Sequence, residues 1–198
     1  MGSGGLTALD FLSCNLLLVS GKGGVGKTAI ASALALAAAS SGRRTLLAEY
    51  SRTDHPHPVF PCVTGYEPRQ VFEHLYLARI DARQALKEYV RRKMPLPQLY
   101  ERFLDSKTLT HFTDAAPGFE EIMSLGKLYD HVEEGGFDLV VFDGPSTGHM
   151  ETLLRVPSVT TAAVHTGPVH LNAKRYRPCW RTRPAPGWSV SPWLKKWR

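Results

Sequence analysis

The chain has 198 residues, enough for one domain with a sizeable core and too few for two. Hydrophobic residues at 43% and charged residues at 21% exclude wholesale disorder, and no apolar run approaches the roughly 20 residues of a membrane helix. The net charge of +6 is confined to one end. Residues 174–198 carry eight Lys or Arg and no acid, and residues 1–173 carry 16 basic against 18 acidic, so no nucleic-acid footprint covers the body.

Leu16 to Val19 is an apolar run that stops at a glycine cluster, which predicts a buried strand. Thr28 to Ala39 is alanine-rich without Pro or Gly and predicts a helix, with Gly42 closing it. Thr45 to Ala48 reads as a second strand. Residues 51–70 hold four prolines and read as loop. Leu75 to Ile80 reads as a third strand, and Asp81 stands where a helix N-cap belongs.

Behind Asp81, Ala82, Ala85, Leu86, Tyr89 and Val90 recur at helical spacing, and Pro95 and Pro97 break that helix. A further helix is predicted over Phe119 to Glu133, with Ile122, Leu125, Leu128 and Tyr129 inward, and Gly135-Gly136 ending it. Leu139 to Asp143 is apolar up to its final residue, as a strand covered on both faces should be. Ala162 to His165 reads as a fifth strand. This alternation predicts an α/β fold, a mostly parallel sheet flanked by helices.

Three scattered cysteines (Cys14, Cys62, Cys179) suggest neither a disulfide scaffold nor a zinc site. With no basic region ahead of an apolar N-terminal run, the expectation is a cytoplasmic protein.

The chemistry concentrates in Gly21-Lys22-Gly23-Gly24-Val25-Gly26-Lys27-Thr28, which fits G-x-x-x-x-G-K-[ST] between a strand and a helix. The glycines let backbone N–H groups turn inward toward phosphate oxygens, and the helix beginning at Lys27 adds its positive end. The candidate nucleotide-binding residues are therefore Gly21, Gly23, Gly24, Val25, Gly26, Lys27 and Thr28. Lys27 is expected at the β/γ-phosphates and the Thr28 hydroxyl on Mg²⁺. Asp143 ends an apolar strand, as a carboxylate serving the same metal does, so Thr28 and Asp143 are the candidate metal residues. The implied cofactors are ATP and Mg²⁺.

With a lysine straight after its first glycine, GKGGVGKT resembles the deviant Walker A loop of the ParA/MinD/ArsA group of P-loop ATPases. The resemblance implies a P-loop NTPase fold and a homodimer facing across two nucleotides, with Lys22 acting in the partner's site. The stretch Asp143-Gly144-Pro145-Ser146-Thr147-Gly148-His149, continued by Glu151 to Pro157, resembles the switch segment of ArsA-type ATPases. That group contains arsenite pump-driving and tail-anchored-protein targeting ATPases. The likeness implies that Gly148 and His149 are switch residues and that turnover drives a client, a membrane protein or a metalloid transporter. A MinD/ParA-type positioning ATPase is the competing family reading, disfavoured by the Thr-Gly-His stretch.

The chain also departs from the pattern. The resemblance implies a switch aspartate soon after the second strand, in a Thr-Asp-Pro-Ala-His context, but here that strand ends in Glu49-Tyr50. Asp54, in Thr53-Asp54-His55-Pro56-His57, sits a few residues late; Glu49, Asp54 or neither takes the part. Asp54 is carried as the candidate catalytic carboxylate beside Lys22, Lys27 and Asp143. His55 and His57, among prolines and without a nearby cysteine, read as a solvated loop.

Residues 1–173 are expected to form the ATPase domain. After Arg175 the composition turns over: all four tryptophans and four prolines fall in residues 178–198. The expected reading of 174–198 is an out-of-frame or truncated end that leaves the sheet incomplete on its C-terminal side. The other reading is a basic, aromatic tail for nucleic acid or anionic lipid; no specific nucleic-acid partner is expected. Two functions follow: an ATPase that turns over as a homodimer, or a nucleotide-binding remnant or regulatory module that does not.

Overall fold

In a computed structural model, residues 15–93, 119–134 and 136–163 are described. In chain order these comprise β1 (Leu16–Gly21), α1 (Lys27–Ser40), β2 (Thr45–Tyr50), β3 (His55–Pro56), β4 (Val63–Thr64), β5 (Arg69–Phe72), β6 (Leu75–Ile80), α2 (Ala82–Lys93), α3 (Phe119–Glu133), β7 (Leu139–Ser146) and α4 (Thr147–Ala163).

The main sheet has the order β1-β7-β2-β6-β5. β1, β7, β2 and β6 are mutually parallel, and β5 runs antiparallel along β6. This is the expected mostly parallel α/β sheet.

The strands read as continuous apolar runs because both faces are covered. Alternate residues feed opposite layers. Leu46, Ala48, Val140 and Phe142 pack with Leu125 and Leu128 of α3 and with Met150 and Leu153 of α4. Leu47, Leu139 and Val141 pack with Ala31, Ala35 and Ala38 of α1. Alanine on the buried face of α1 lets that helix lie close on the sheet, and close approach is what carries its first turn to the strand ends. Gly42 closes α1 at φ 86°, with its N–H on the Ala39 carbonyl and that of Arg43 on Ala38. Asp81 caps α2 as expected: its Oδ1 accepts the Gln84 N–H at 2.9 Å.

Two expectations are corrected. The stretch 51–70 is not wholly loop: His55–Pro56 and Val63–Thr64 pair antiparallel in a small second sheet, and β5 begins at Arg69. Its prolines sit at the short strands' ends and turns, where no ladder donor is lost. Ala162 and Ala163 belong to α4 instead of a fifth strand. That helix starts at Thr147 and its backbone continues through Pro157, so the segment is the crossover after β7. Residues 164–165, the stretch Thr166–Arg175 and the end 174–198 lie outside the described residues.

Candidate functional site

The phosphate loop joins β1 to α1. Gly24 and Gly26 adopt φ 76° and 85°, left-handed values that side chains rarely tolerate, and they turn the chain into the helix. Gly26 occupies the N-cap, and no side chain caps the first turn. The N–H groups there are therefore left for an anion. Gly23, Gly24, Val25 and Gly26 are exposed along this loop, as is Lys22, while Gly21, Lys27 and Thr28 are half-buried. Lys27 folds back over the loop and donates from Nζ to the Lys22 carbonyl at 3.2 Å. Lys27 and Thr28 are thus brought together with Asp143, and Lys22 stands on the outside of the loop.

Sheet order supplies the second half of the site. β7 lies directly between β1 and β2, so Asp143 pairs in register with Val19 on one side and Glu49 on the other. The Thr28 hydroxyl donates to Asp143 Oδ2 at 2.5 Å. Ser20 Oγ donates to the Pro145 carbonyl at 2.9 Å and ties the end of β1 to the end of β7. Asp143 Oδ1 is buried and, among the described residues, has no hydrogen-bond partner. Burial pushes the Asp143 carboxyl above the ordinary aspartate range, as does the charge of Glu49, while the Thr28 hydrogen bond and Lys27 oppose the rise. An orphaned anionic oxygen of this kind, beside a hydroxyl and above an open loop, is a donor set that suits a hard divalent cation.

Glu49 is the neighbour that sequence patterning did not single out from Asp54. It is 5% exposed, yet it lines the cleft. The cleft measures roughly 350 Å³ and is walled by Lys27, Thr28, Glu49, His55, Asp143 and Ser146 among others. Glu49 Oε2 accepts from Thr64 Oγ1 at 2.6 Å, and His55 Nε2 stands 3.5 Å from the same oxygen. His57 Nε2 stands 3.4 Å from Glu49 Oε1.

The prolines predicted a solvated loop, but His57 is not solvated: its side chain is 0% exposed and stacks on Phe60 at 4.9 Å. His55 keeps partial exposure at the cleft wall. The hairpin closes because His57 Nδ1 accepts the N–H groups of both Val59 and Phe60 at 3.0 Å. No local pattern distinguishes such a histidine from a solvated one.

Asp54 lies elsewhere. Its Oδ1 accepts from Arg79 Nε at 2.5 Å, its side chain is 60% exposed, and it is not among the residues that wall the cleft. Arg79, 6% exposed, also donates to Asp81 Oδ2 at 2.7 Å. Gly148 and His149 are exposed on the first turn of α4, beside the end of β7. Among the described residues, no group of three or more His, Cys, Asp or Glu has the arrangement of a self-contained metal centre. No described helix is long and apolar enough to cross a membrane.

A strand–loop–helix phosphate cradle, next to a strand that presents a carboxylate to the helix's first-turn hydroxyl, is a nucleotide-binding arrangement. A family model described as anion-transporting ATPase, the ArsA type, matches residues 14–169. The chain belongs to this family.

Curated relatives of this ArsA-type chain agree. A Halobacterium salinarum protein provisionally named an arsenical pump-driving ATPase is 37% identical over 153 residues, covering 72% of this chain and 23% of the relative. ATPase ASNA1 homolog 1 of Paramecium tetraurelia is 35% identical over 151 residues, covering 72% of this chain and 44% of its own. ATPase get3 of Schizosaccharomyces japonicus is 28% identical over 158 residues, covering 79% and 48%. The chain therefore spans less than half the length of the curated relatives it matches.

Proposed function

We propose that this chain binds ATP with Mg²⁺ and hydrolyses it as a homodimer whose two loops face each other across two nucleotides. The observation that carries the reading is the Thr28–Asp143 hydrogen bond beneath the loop, with Asp143 Oδ1 left over.

The backbone N–H groups of residues 23–27 cradle the phosphates, and Lys27 leaves the Lys22 carbonyl for the β- and γ-oxygens. Thr28 and Asp143 would hold Mg²⁺, which when bound offsets charge on those oxygens. Glu49, beside Asp143 and open to the cleft, accepts a hydrogen bond from a water and orients it on the γ-phosphorus. Attack forms a new P–O bond as the bond to the β-phosphate oxygen breaks, so ADP and inorganic phosphate leave. Asp54 is held by Arg79, away from the cleft, which is why Glu49 is preferred for this part. Lys22, exposed on the loop, reaches the partner's nucleotide and stabilises charge there, as an arginine finger does. Loss of the γ-phosphate releases the segment from Asp143 into α4, including Gly148 and His149. That movement works on a client, and the family's description as anion-transporting and one relative's name as arsenical pump-driving favour a transporter for that part.

The test is Mg-ATP turnover of the purified chain, with molecular mass measured with and without nucleotide. ATP-dependent doubling of mass with turnover supports the reading. Binding without turnover identifies a regulatory nucleotide-binding module instead.

A further inference from the structure

Beyond the phosphate loop, the hairpin formed by β3 and β4 has one feature that nucleotide binding alone does not require. Two of its buried polar side chains converge on a single carboxylate. Thr64, fully buried, donates its hydroxyl to Glu49 Oε2 at 2.6 Å. The orientation of His57 follows from its other nitrogen: Nδ1 accepts two backbone N–H groups, so it carries no hydrogen, and the ring hydrogen sits on Nε2. Nε2, the ring's donor, stands 3.4 Å from Glu49 Oε1 without a formed hydrogen bond, and among the described residues it has no hydrogen-bond partner.

We infer that Thr64 and His57 are positioning residues: together they hold the Glu49 carboxylate in the rotamer that faces the cleft. The inference rests on Glu49 being the water-orienting group proposed above. A carboxylate that must align a water needs one lone pair free and its own torsion fixed. Thr64 fixes Oε2 from the side away from the cleft. His57 bounds Oε1, and the gap between them closes as charge gathers at the reacting centre. A threonine hydroxyl and a neutral imidazole do this without adding a net positive charge that would compete with Lys27 for phosphate.

Isosteric substitution separates positioning from packing. Thr64→Val keeps shape and removes the hydroxyl; Thr64→Ser keeps the hydroxyl and removes a methyl. His57→Asn keeps an oxygen able to accept the Val59 and Phe60 N–H groups and removes the Nε2 donor that stands beside Glu49. For each variant, and for Glu49→Gln, kcat, the Kd of a fluorescent ATP analogue, the Kd of ADP with aluminium fluoride, and Tm are measured.

The expected result is a kcat about tenfold lower or worse in Thr64→Val and several-fold lower in His57→Asn. ATP-analogue affinity stays within twofold, and the aluminium fluoride complex weakens in step with kcat. Thr64→Ser recovers at least half of wild-type turnover. If Thr64→Val and His57→Asn turn over normally while Glu49→Gln does not, the clamp is overturned and Glu49 keeps its role. If Glu49→Gln turns over normally, both fall. Activity that follows Tm instead of the hydroxyl also overturns the inference, as does a wild-type chain without turnover.

Discussion

Thr28 and Asp143 are 115 positions apart in sequence, and the hydroxyl of one donates to the carboxylate of the other at 2.5 Å. The bond joins the first turn of α1 to the C-terminal half of β7. It consumes one carboxylate oxygen and leaves the other buried and unpaired. Asp143 is thus held where burial makes its charge costly, a cost that Thr28 and Lys27 lessen and that a cation in the cleft would lessen further.

Activity and stability should therefore move in opposite directions at this residue. Asp143→Asn removes the charge that burial disfavours, so the nucleotide-free chain is expected to melt at the same temperature or higher. Turnover is expected to fall about a hundredfold or more, equivalent to about 2.7 kcal/mol of lost transition-state stabilisation. Melting with and without Mg-ATP and steady-state phosphate release check both halves. The same Tm gain from Mg-ATP in variant and wild type would count against a metal role for Asp143.

The two loop lysines should fail differently. Lys27 folds over its own loop, whereas Lys22 is exposed. Lys27→Ala is expected to weaken ATP binding more than tenfold. Lys22→Ala is expected to leave binding within about threefold and to lower kcat about a thousandfold, the range of a charge supplied across an interface. Mixing Lys22→Ala with an Asp143→Asn variant should then restore part of the activity, since one composite site in the mixed dimer is intact. Equilibrium binding and a mixing titration distinguish the two.

Acid should destabilise the fold in two stages, both remote from the cleft. Burial, aided by nearby Lys127, lowers His131 to about 4, so the folded state keeps it neutral while the unfolded chain protonates near 6.5. Stability tied to His131 is whole above pH 6.5 and is lost as pH falls toward 4, on the order of 3 kcal/mol across that window.

Burial works against ionised Glu88, but hydrogen bonds from Lys127, Tyr66 and Arg92 outweigh it and hold that carboxyl at about 2. Its contribution is present above pH 4.5 and is lost as pH falls toward 2. Because water reaches about a third of the side chain, roughly 1 to 2 kcal/mol is expected. Chemical denaturation from pH 8 to 3 measures both stages, and His131→Phe should flatten the first without touching the second.

Arg79 binds the loop after β2 to the cap of α2. It is buried and holds Asp54 and Asp81 together, and Asp81 also caps Gln84. Arg79→Met leaves Asp81 as a buried, uncompensated charge and is expected to cost about 3 to 5 kcal/mol. Adding Asp81→Asn keeps a capping oxygen and removes that charge, so the double variant should recover about half of the loss. Denaturation midpoints of the two singles and the double variant close the cycle.

The local signals were legible where one segment carries its own pattern. Leu75–Ile80 and Phe119–Glu133 form the predicted strand and helix with the predicted ends. Periodicity named Ile122, Leu125, Leu128 and Tyr129 as inward; the first three are buried and Tyr129 is half-buried. The Ala162–His165 strand failed at Ala162 and Ala163 because an apolar run of that length fits strand and helix equally. The loop reading of 51–70 failed for a related reason: two-residue strands leave no period to detect.

The amino-acid order alone determined the phosphate loop between its strand and helix, the carboxylate that follows the apolar run of a doubly covered strand (though that strand runs on to Ser146), and the family to which these point. All depend on contacts within a few residues, where glycine torsions, capping and hydrophobic period act directly. Tertiary structure decided which carboxylate shares the cleft. Asp54 has the more familiar sequence surroundings, but Arg79, 25 positions away, draws it aside. Glu49 reaches the cleft because β7 inserts between β1 and β2 and sets it level with Asp143, while a proline-rich hairpin returns Thr64 and His57 to its back. Strand order and the path of a returning loop are set by burial summed over the whole sheet. No window of sequence contains that sum, so the partners of Glu49 emerge only when the chain has folded.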